Sequence, residues 1–325
     1  MEHPIACLVT NLAWEPHHKE KLERTLPEAK ILYVAPGDTK ALNAALPEAE
    51  VAVIMGKPDV RAAQKLKWLH WDAAGLDAIA KPEFMNCGFA ITGSAGRSAP
   101  ALAEHVFFFM LNQAYHIRTV LEAQGAHRWG YPGQQHMKAL FSQTIGIVGM
   151  GNTGRAVAQR AKAFEMRVVA YDRTDIQNPN VDVMLSEENG DNVDDLVRQS
   201  DFIVMCCALT NQTYHMLGEK QFEMMKPGTV VINIGRGQTI DEGAMLRALR
   251  EGRIAGAGLD TFEKEPLGAD SPVWDTPNLL ATPHFTPACP DKLGRSLNIV
   301  LENIERYHSG RELINRLRPE DLFTK

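Results

Sequence analysis

The sequence predicts an α/β protein built from two doubly wound parallel sheets. Short apolar runs alternate with helical or turn-like segments along the chain, which is the pattern of strands joined by crossover helices. The chain has 325 residues, and a domain commonly holds about 100–200 residues, so we expect two domains. A glycine-rich turn between a strand and a helix in the second half is typical of a doubly wound parallel sheet.

The predicted strands are short and apolar throughout, which is typical of strands that helices cover on both faces. In the first half they are Ile5–Val9, Ile31–Val34, Val51–Met55, Trp68–Trp71 and Phe89–Thr92. In the second half they are Ile145–Val148, Val168–Tyr171, Phe202–Ala208, Val230–Ile234, Ala255–Leu259 and Leu279–Ala281. Between strands, Asp59–Leu66 is predicted as helix or turn, and Thr174–Asn192 as surface loop.

Two long helical patterns predict where the chain passes between the halves. Ala99–Leu121 has Pro100 near its first turn, where proline is tolerated, and we predict one long connecting helix there. Asp291–Ser309 is a second helical pattern with one polar face, and it follows the last strand of the second half. The chain is therefore expected to leave the first domain and return to it at the end. The predicted domains are 1–98 together with 288–325, and 99–287.

The most informative motif is the G-x-G-x-x-G run of Gly149, Gly151 and Gly154, which lies between an apolar strand and a helix-forming stretch. The next strand ends on Asp172, 21 positions after Gly151 (172 − 151), close to the spacing of about 20 for the ribose ligand of a Rossmann fold. The first glycine permits the turn, the second lets the backbone approach a pyrophosphate, and the third lets helix and strand pack. The alternative is an ordinary βαβ turn without a ligand. The complete pattern favours a Rossmann domain that binds NAD.

Composition and charge restrict the partners. The chain is 45% hydrophobic and 23% charged, with a net charge of −6, which describes an ordinary globular protein and argues against nucleic acid and anionic membranes as main partners. We find no apolar run of the ~20 residues that a membrane span needs, and no secretory signal. The five cysteines are scattered, which fits a reducing cytoplasmic location.

Three polar residues, Arg236, Glu265 and His284, each follow a predicted strand of the second half. Ligands of open parallel sheets bind at the carboxyl ends of the strands, so we expect the three side chains to converge beside the glycine turn. Histidine titrates near neutral pH and suits proton transfer to a carbonyl oxygen. A neighbouring glutamate carboxylate stabilises the protonated imidazole. Arginine binds the carboxylate of a substrate with two parallel hydrogen bonds. The trio predicts reduction of a 2-oxo acid.

Each residue alone has an ordinary interpretation. An arginine between glycines is usually a surface turn, and a glutamate before proline is usually solvated; only their joint placement favours catalysis. His105, His116, His127 and His136 lie on predicted helix or loop and are interpreted as structural or solvated. We expect no metal site, because no H-E-x-x-H or Cys–His pairing is present.

These motifs resemble the D-isomer-specific 2-hydroxyacid dehydrogenase family over nearly the whole chain. The resemblance lies in Gly146–Gly154, Leu209–Thr213, Lys226–Gly228, Asn233–Gly237 with Asp241 and Glu242, Gly256–Pro266, Thr282–His284 and Gly96–Glu104. It implies that Arg236, Glu265 and His284 are the catalytic residues. It also implies a Rossmann cofactor domain inserted into a smaller, discontinuous, flavodoxin-like substrate domain, and a homodimer. The implied reaction interconverts a small (R)-2-hydroxy acid and its 2-oxo acid with NAD.

The resemblance also assigns binding residues. The loop Ala73–Asp77 would bind the substrate carboxylate, so the expected substrate contacts are Ala74, Gly75, Leu76 and Arg236. The expected cofactor contacts are Gly149, Gly151, Asn152, Thr153, Gly154, Asp172, Cys207, Thr210, Thr213, Ile234, Asp260 and His284.

The chain departs from the family pattern in places that bear on its substrate. Ala74 stands where phosphite-using relatives carry lysine, and Glu265 where formate-using relatives carry glutamine, which argues against both activities. Phe285, Thr286 and Pro287 follow His284, so the pocket wall is unusual. Some proteins of this fold act as cofactor-sensing co-repressors and keep the same three residues, so a regulatory protein is the alternative.

Overall fold

The chain divides into two compact units, each with its own parallel sheet. The structure is a computed structural model that describes residues 3–56, 58–60, 63–131, 133–285 and 289–325. One unit comprises Met1–Arg97 with Cys289–Thr324, and the other comprises Ser98–Ala288 with Lys325. The predicted boundary between 287 and 288 falls on residues outside the described part of the chain. No helix among the described residues is both long enough and apolar enough to cross a membrane.

Strands and helices alternate along both units. The strands of the first unit are β1 Cys7–Thr10, β2 Lys30–Tyr33, β3 Val51–Ile54, β4 Trp68–Trp71 and β5 Ala90–Gly93. Those of the second unit are β6 Thr144–Val148, β7 Arg167–Asp172, β8 Val183–Ser186, β9 Phe202–Met205, β10 Val230–Asn233, β11 Gly256–Leu259 and β12 Leu279–Ala281. The helices are α1 Pro16–Thr25, α2 Thr39–Ala45, α3 Pro82–Met85, α4 Ala99–Ala114, α5 Ile117–Gly125, α6 Asn152–Ala163, α7 Val193–Gln199, α8 Glu219–Met224, α9 Glu242–Arg250 and α10 Lys292–His308.

The first unit has a five-stranded sheet in the order β2-β1-β3-β4-β5, which is the flavodoxin-like order. Its neighbouring strands pair in parallel. Alternate residues of β3 enter different apolar clusters: Val51 and Val53 pack in one, Ala52 and Ile54 in the other. The sheet is therefore covered on both faces, as its continuous apolar strands predict.

The second unit has a seven-stranded sheet in the order β12-β11-β10-β9-β6-β7-β8. Read from β8, this is the Rossmann order 3-2-1-4-5-6 with one additional parallel strand at the edge. The strand order reverses between β6 and β9, so the topological switch point lies beside the glycine turn that follows β6. The predicted fold class, two doubly wound α/β domains with parallel sheets, is confirmed.

Aspartate side chains cap the N-termini of α9 and α10. Asp241 accepts the Ala244 N–H at 2.8 Å at the start of α9, and Asp291 accepts the Gly294 N–H at 3.1 Å at the start of α10. An N-cap carboxylate satisfies backbone donors that the helix cannot pair itself. Helix α10 spans Lys292–His308 with Asp291 and Ser309 as its caps, within the predicted range.

Two sequence predictions are wrong. The single helix over Ala99–Leu121 is two helices, because His116 adopts φ 49°, a left-handed conformation that cannot continue a right-handed helix. The predicted loop over Thr174–Asn192 contains β8, which pairs with β7. Its apolar run is too short to identify a strand from the sequence. The helix or turn predicted over Asp59–Leu66 includes Arg61 and Ala62, which lie outside the described residues.

Candidate active site

The glycine turn joins β6 to α6 in a conformation that its glycines permit. Gly149 has φ 96°, and a Cβ there would lie 2.6 Å from the backbone nitrogen of Cys207. A Cβ on Gly154 would overlap the carbonyl oxygen of Gly149. Both glycines are thus required by the protein's own packing.

Gly151 differs from these two glycines, because a Cβ there would meet no atom within 4 Å. Its φ of −67° is one that any residue adopts, so nothing in the fold requires glycine at this position. The space in front of it lies at the N-terminus of α6, where the backbone N–H groups of Asn152, Thr153 and Gly154 donate to no acceptor among the described residues. Free N–H groups at a helix N-terminus bind phosphate, so these residues fit a dinucleotide pyrophosphate.

Asp172 ends β7 beside this turn. Its Oδ2 accepts the Met150 N–H at 2.7 Å, and its Oδ1 accepts the Thr174 N–H at 3.3 Å. The carboxylate is half-buried and held in place by backbone donors on both oxygens. A carboxylate fixed at this position is the ribose partner expected in a Rossmann fold.

Arg236 follows β10 in a turn that side chains of its own segment hold. The Asn233 side-chain amide donates to the Arg236 carbonyl at 2.9 Å, and the Thr239 hydroxyl donates to the same oxygen at 2.8 Å. The guanidinium donates to the Gly235 carbonyl at 2.9 Å. The backbone position of Arg236 is therefore set before any ligand binds.

Glu265 and His284 are in direct contact. The Glu265 Oε2 lies 2.7 Å from His284 Nδ1, and its Oε1 accepts the Phe262 N–H at 2.9 Å. Both side chains keep about a third of their surface exposed, 33% for Glu265 and 36% for His284. The pair is thus fixed but open to a ligand. Because Nδ1 faces the carboxylate, Nε2 is the nitrogen left for a substrate.

The segment that carries His284 is anchored by Asp260, which follows β11 and is buried. Its Oδ1 accepts the Thr282 hydroxyl at 2.7 Å and the Phe285 N–H at 3.3 Å. Between these two points His284 has φ 49°, a region that residues other than glycine adopt at a cost and that recurs at functional sites. Asp260 therefore constrains the backbone of the candidate acid/base.

His105 of α4 contacts the same segment. The sequence did not reveal this contact. Its Nε2 lies 3.3 Å from the Thr282 hydroxyl, and its ring stacks on Phe109 with centroids 4.4 Å apart. Burial lowers the pKa of His105, although the Asp260 carboxylate opposes this. The side chain is then a neutral, buried support. A single histidine on an apolar helix gives no signal of such a contact.

The remaining predicted cofactor residues lie at the same sheet edge. Burial raises the pKa of the Cys207 thiol to about 12, so this residue, which follows β9, offers a neutral wall. Thr210 and Thr213 form a turn in which the Thr210 N–H donates to the Thr213 hydroxyl at 2.8 Å. Ile234 directly follows β10 and is buried.

The predicted substrate loop lies in the first unit and follows β4. The N–H groups of Ala74, Gly75 and Leu76 donate to no acceptor in the part of the chain that the structure describes. Ala74 is exposed and the other two residues are half-buried. Consecutive free N–H groups form a concave site for an anion, which is what a substrate carboxylate requires.

Among the residues that the structure describes, one group of side chains outside this site has the chemistry of metal ligands. Ligand atoms of Glu15, His17 and His18 lie within 4.8 Å of one another. However, His18 Nδ1 accepts the Glu15 N–H at 3.3 Å, which leaves the ring proton on Nε2. A histidine ligand needs the opposite arrangement, with its second nitrogen donating, so this group does not fit a metal ion.

The doubly wound second unit, with its glycine turn and fixed acid, defines a dinucleotide-binding protein. The family profile described as "D-isomer specific 2-hydroxyacid dehydrogenase, NAD binding domain" matches residues 107–286. Glyoxylate reductase of Thermococcus onnurineus is 32% identical over 323 residues, 94% of this chain and 91% of the relative. Glyoxylate reductase of Thermococcus litoralis is 34% identical over 289 residues, 85% of each.

Solved structures that are similar to this chain come from the same family. A D-isomer specific 2-hydroxyacid dehydrogenase family protein from Aeromonas salmonicida has a TM-score of 0.79 and 28% identity, covering 96% of this chain and 99% of the other. A D-isomer specific 2-hydroxyacid dehydrogenase from Xanthobacter autotrophicus Py2, in complex with NADPH and MES, has a TM-score of 0.82 and 26% identity, covering 97% and 98%. The chain belongs to the D-isomer specific 2-hydroxyacid dehydrogenase family and carries that family's pyridine-nucleotide-binding domain.

Replacing Gly151 by alanine tests the fit of the glycine turn. Because the added methyl group meets no protein atom, the Gly151→Ala variant should keep the wild-type melting temperature. It should nevertheless bind NADH more weakly by about tenfold or more, because the methyl group occupies the space for the pyrophosphate. Fluorescence titration measures the affinity. The matched Gly154→Ala variant should instead lose stability, and unchanged NADH affinity in Gly151→Ala would refute the assignment.

Proposed function

We propose that the protein is an NAD-dependent oxidoreductase that interconverts a small 2-oxo acid and the corresponding (R)-2-hydroxy acid. The observation that supports this most strongly is the 2.7 Å contact between Glu265 and His284 at the carboxyl ends of the strands beside the glycine turn. A bound reduced nicotinamide supplies the hydride that the carbonyl carbon accepts. The protein must supply a proton, an anchor for the carboxylate and a polarised carbonyl.

In this proposal His284 is the acid/base. Glu265 faces Nδ1 and stabilises the protonated imidazole, and the opposite nitrogen, Nε2, donates the proton to the carbonyl oxygen. In the reverse reaction the neutral ring accepts that proton from the hydroxyl group. The backbone of His284, held between the two contacts of Asp260, fixes where the proton is delivered.

Arg236 is the anchor and electrophile of the same site. Its guanidinium is always charged and carries donors in a planar fork that matches a carboxylate. The family resemblance separately assigns the N–H groups of Ala74, Gly75 and Leu76 to the substrate carboxylate. Arginine beside the carbonyl oxygen also stabilises the negative charge that develops there during reduction.

The substrate class is tested by a panel of acids. The similar proteins from both Thermococcus species are named glyoxylate reductases, so glyoxylate is the first acid to test, followed by pyruvate, hydroxypyruvate, and branched and aromatic oxo acids. Phe285, beside His284, is 52% exposed and is a candidate wall for the substrate side chain; Thr286 and Pro287 lie outside the described residues. Tight NADH binding without reduction of any of these acids would contradict an enzymatic function and favour a cofactor-sensing regulatory protein.

The catalytic roles predict different kinetic losses. His284→Ala should lower kcat by roughly 10²–10⁴-fold, because it removes the proton donor. Arg236→Ala should both lower kcat and raise KM for the oxo acid, because the guanidinium acts in the ground state and the transition state. Steady-state assays with the best acid of the panel measure both. Near wild-type kcat/KM in either variant would remove that residue from the mechanism.

The Glu265–His284 pair predicts a kinetic effect of the glutamate charge alone. Glu265→Gln preserves the shape of the side chain but removes the negative charge that faces the ring of His284. The kcat for reduction should fall by about tenfold or more, because the ring carries the positive charge of the proton that it delivers, while the KM for NADH should stay unchanged. Steady-state assays measure both constants, and a wild-type kcat would show that Glu265 does not act on His284.

We also propose a preference for NAD(H) over NADP(H). The fixed Asp172 carboxylate accepts hydrogen bonds from ribose hydroxyls and repels a 2′-phosphate. The adjacent Arg173 is exposed and acts in the opposite direction, and the similar Xanthobacter protein holds NADPH. We expect higher kcat/KM with NADH than with NADPH, and a smaller ratio in Asp172→Ser. Equal or better efficiency of wild-type protein with NADPH would overturn the proposal.

A homodimer is proposed from the same resemblance, and exposed apolar side chains support it. Large apolar residues are exposed across 108–141 of the second unit, including Phe108, Leu121, Trp129 and Phe141 at 50%, 59%, 105% and 62%. Light scattering should give twice the chain mass of 36.0 kDa. Leu121→Ser with Trp129→Ser should shift the mass toward the monomer, while Trp274→Ser, another exposed tryptophan, should not. A monomeric wild-type protein would contradict the dimer.

A further inference from the structure

The first unit buries a cluster of polar side chains directly behind the loop 73–77. Asp72 and Arg97 are 6% and 7% exposed, and His70, Thr92, Ser94 and Ser296 are each 0% exposed. Charged residues are almost never buried without a partner. A buried ion pair is weak support for stability, because the cost of desolvating both charges offsets their attraction. A cluster of this kind therefore calls for another explanation.

Its contacts converge on Asp72, the residue that precedes the loop. The Asp72 Oδ1 accepts Arg97 Nη1 at 2.5 Å and the Ser94 hydroxyl at 2.6 Å. The same guanidinium nitrogen donates to the Asp72 carbonyl at 3.1 Å and to the Ser296 hydroxyl of α10 at 2.9 Å. Asp72 is thus held through both its side chain and its backbone.

The cluster has only two charges. Burial lowers the pKa of His70 to about 4, so its ring is neutral. Its nitrogens lie 2.9 Å from the Thr92 hydroxyl and 3.0 Å from the Ser94 hydroxyl. His70 thereby orients Ser94, whose own hydroxyl proton goes to Asp72. The polar contacts form one connected network that ends at Asp72, the residue before the loop.

Backbone contacts with neighbouring strands also hold the start of the loop 73–77. The Ser94 N–H donates to the Ala73 carbonyl at 2.8 Å, and the Asp72 N–H donates to the Ile54 carbonyl at 2.9 Å. A Cβ on Gly93 would lie 2.8 Å from Leu76 Cδ2 and 2.9 Å from the Ala73 oxygen. Contacts of β5 and of the ion pair thus hold Asp72 and Ala73, which directly precede the N–H groups of residues 74–76.

We propose that the buried Asp72–Arg97 pair is the positioning element for the loop 73–77, and that it preorganises the loop's N–H groups for the substrate carboxylate. This rests on the proposed function, in which that loop binds the carboxylate. Neither residue touches the substrate; both act through the backbone of the loop. The pair then contributes to substrate affinity more than to the chemical step.

Asp72→Asn tests the proposal, since it keeps the shape of the side chain but removes the charge that holds Arg97. KM for the oxo acid should rise about tenfold to a hundredfold, as expected for a misplaced binding group. KM for NADH should stay within about twofold and kcat should fall much less than KM rises. Glu48→Gln is the matched control, because it removes the carboxylate of an exposed Lys30–Glu48 pair in the same unit and should leave all three constants unchanged. An unchanged KM for the oxo acid, or equal losses in the control, would overturn the proposal.

Hydrogen exchange gives a readout that does not depend on turnover. The amides of residue 72, Ala73 and Ser94 are hydrogen-bonded at the base of the loop, and in Asp72→Asn they should exchange faster than in wild-type protein, while those of β6 stay protected. If Asp72→Asn does not fold, Ser94→Ala removes one hydrogen bond to the same carboxylate and should show a smaller effect of the same kind. If wild-type protein reduces no oxo acid, the proposed function fails. Hydrogen exchange in the variant still tests whether the Asp72–Arg97 pair positions the loop. Unchanged exchange of these three amides would overturn it.

Discussion

The candidate site depends on the close approach of Gly237 to the backbone of Phe262. A Cβ on Gly237 would overlap the Phe262 carbonyl group, so only glycine allows the turn after β10 to lie against the segment after β11. The Phe262 N–H holds the carboxylate of Glu265, and Glu265 in turn holds His284. The turn that carries Arg236 is thereby joined to Glu265 and His284 by one series of contacts. The chemistry proposed for the three residues requires that their relative positions be set in this way.

Much of this arrangement was predictable from local sequence. The apolar runs identified the strands of both sheets except β8, because residues buried on both faces leave an unbroken hydrophobic signal. Strand ends then selected Arg236, Glu265 and His284, since parallel strands bring their carboxyl ends to one edge. The glycine turn was recognisable because its spacing reflects local backbone geometry. The contact between Glu265 and His284 was expected from the same reasoning, and the structure places these two side chains 2.7 Å apart.

The features that sequence reasoning missed depend on particular conformations or on distant residues. His116 divides the predicted long helix through a left-handed φ of 49°, for which histidine carries no clear signal. His105 supports Thr282 although 177 positions separate them. Arg97 reaches Ser296 across 199 positions, and its pairing with Asp72 has no periodic pattern that would reveal it. Such contacts follow from the tertiary fold, so they become visible only in the structure.

In the proposed mechanism the bound cofactor gives a hydride to the carbonyl carbon of a 2-oxo acid and His284 gives a proton to its oxygen, with the substrate held in one orientation. The most direct test is the configuration of the product formed from pyruvate or a branched oxo acid with NADH, determined by chiral chromatography. Membership of the D-isomer specific 2-hydroxyacid dehydrogenase family predicts the (R)-2-hydroxy acid alone. Formation of the (S)-acid, or of both enantiomers, would contradict the proposed orientation of the substrate.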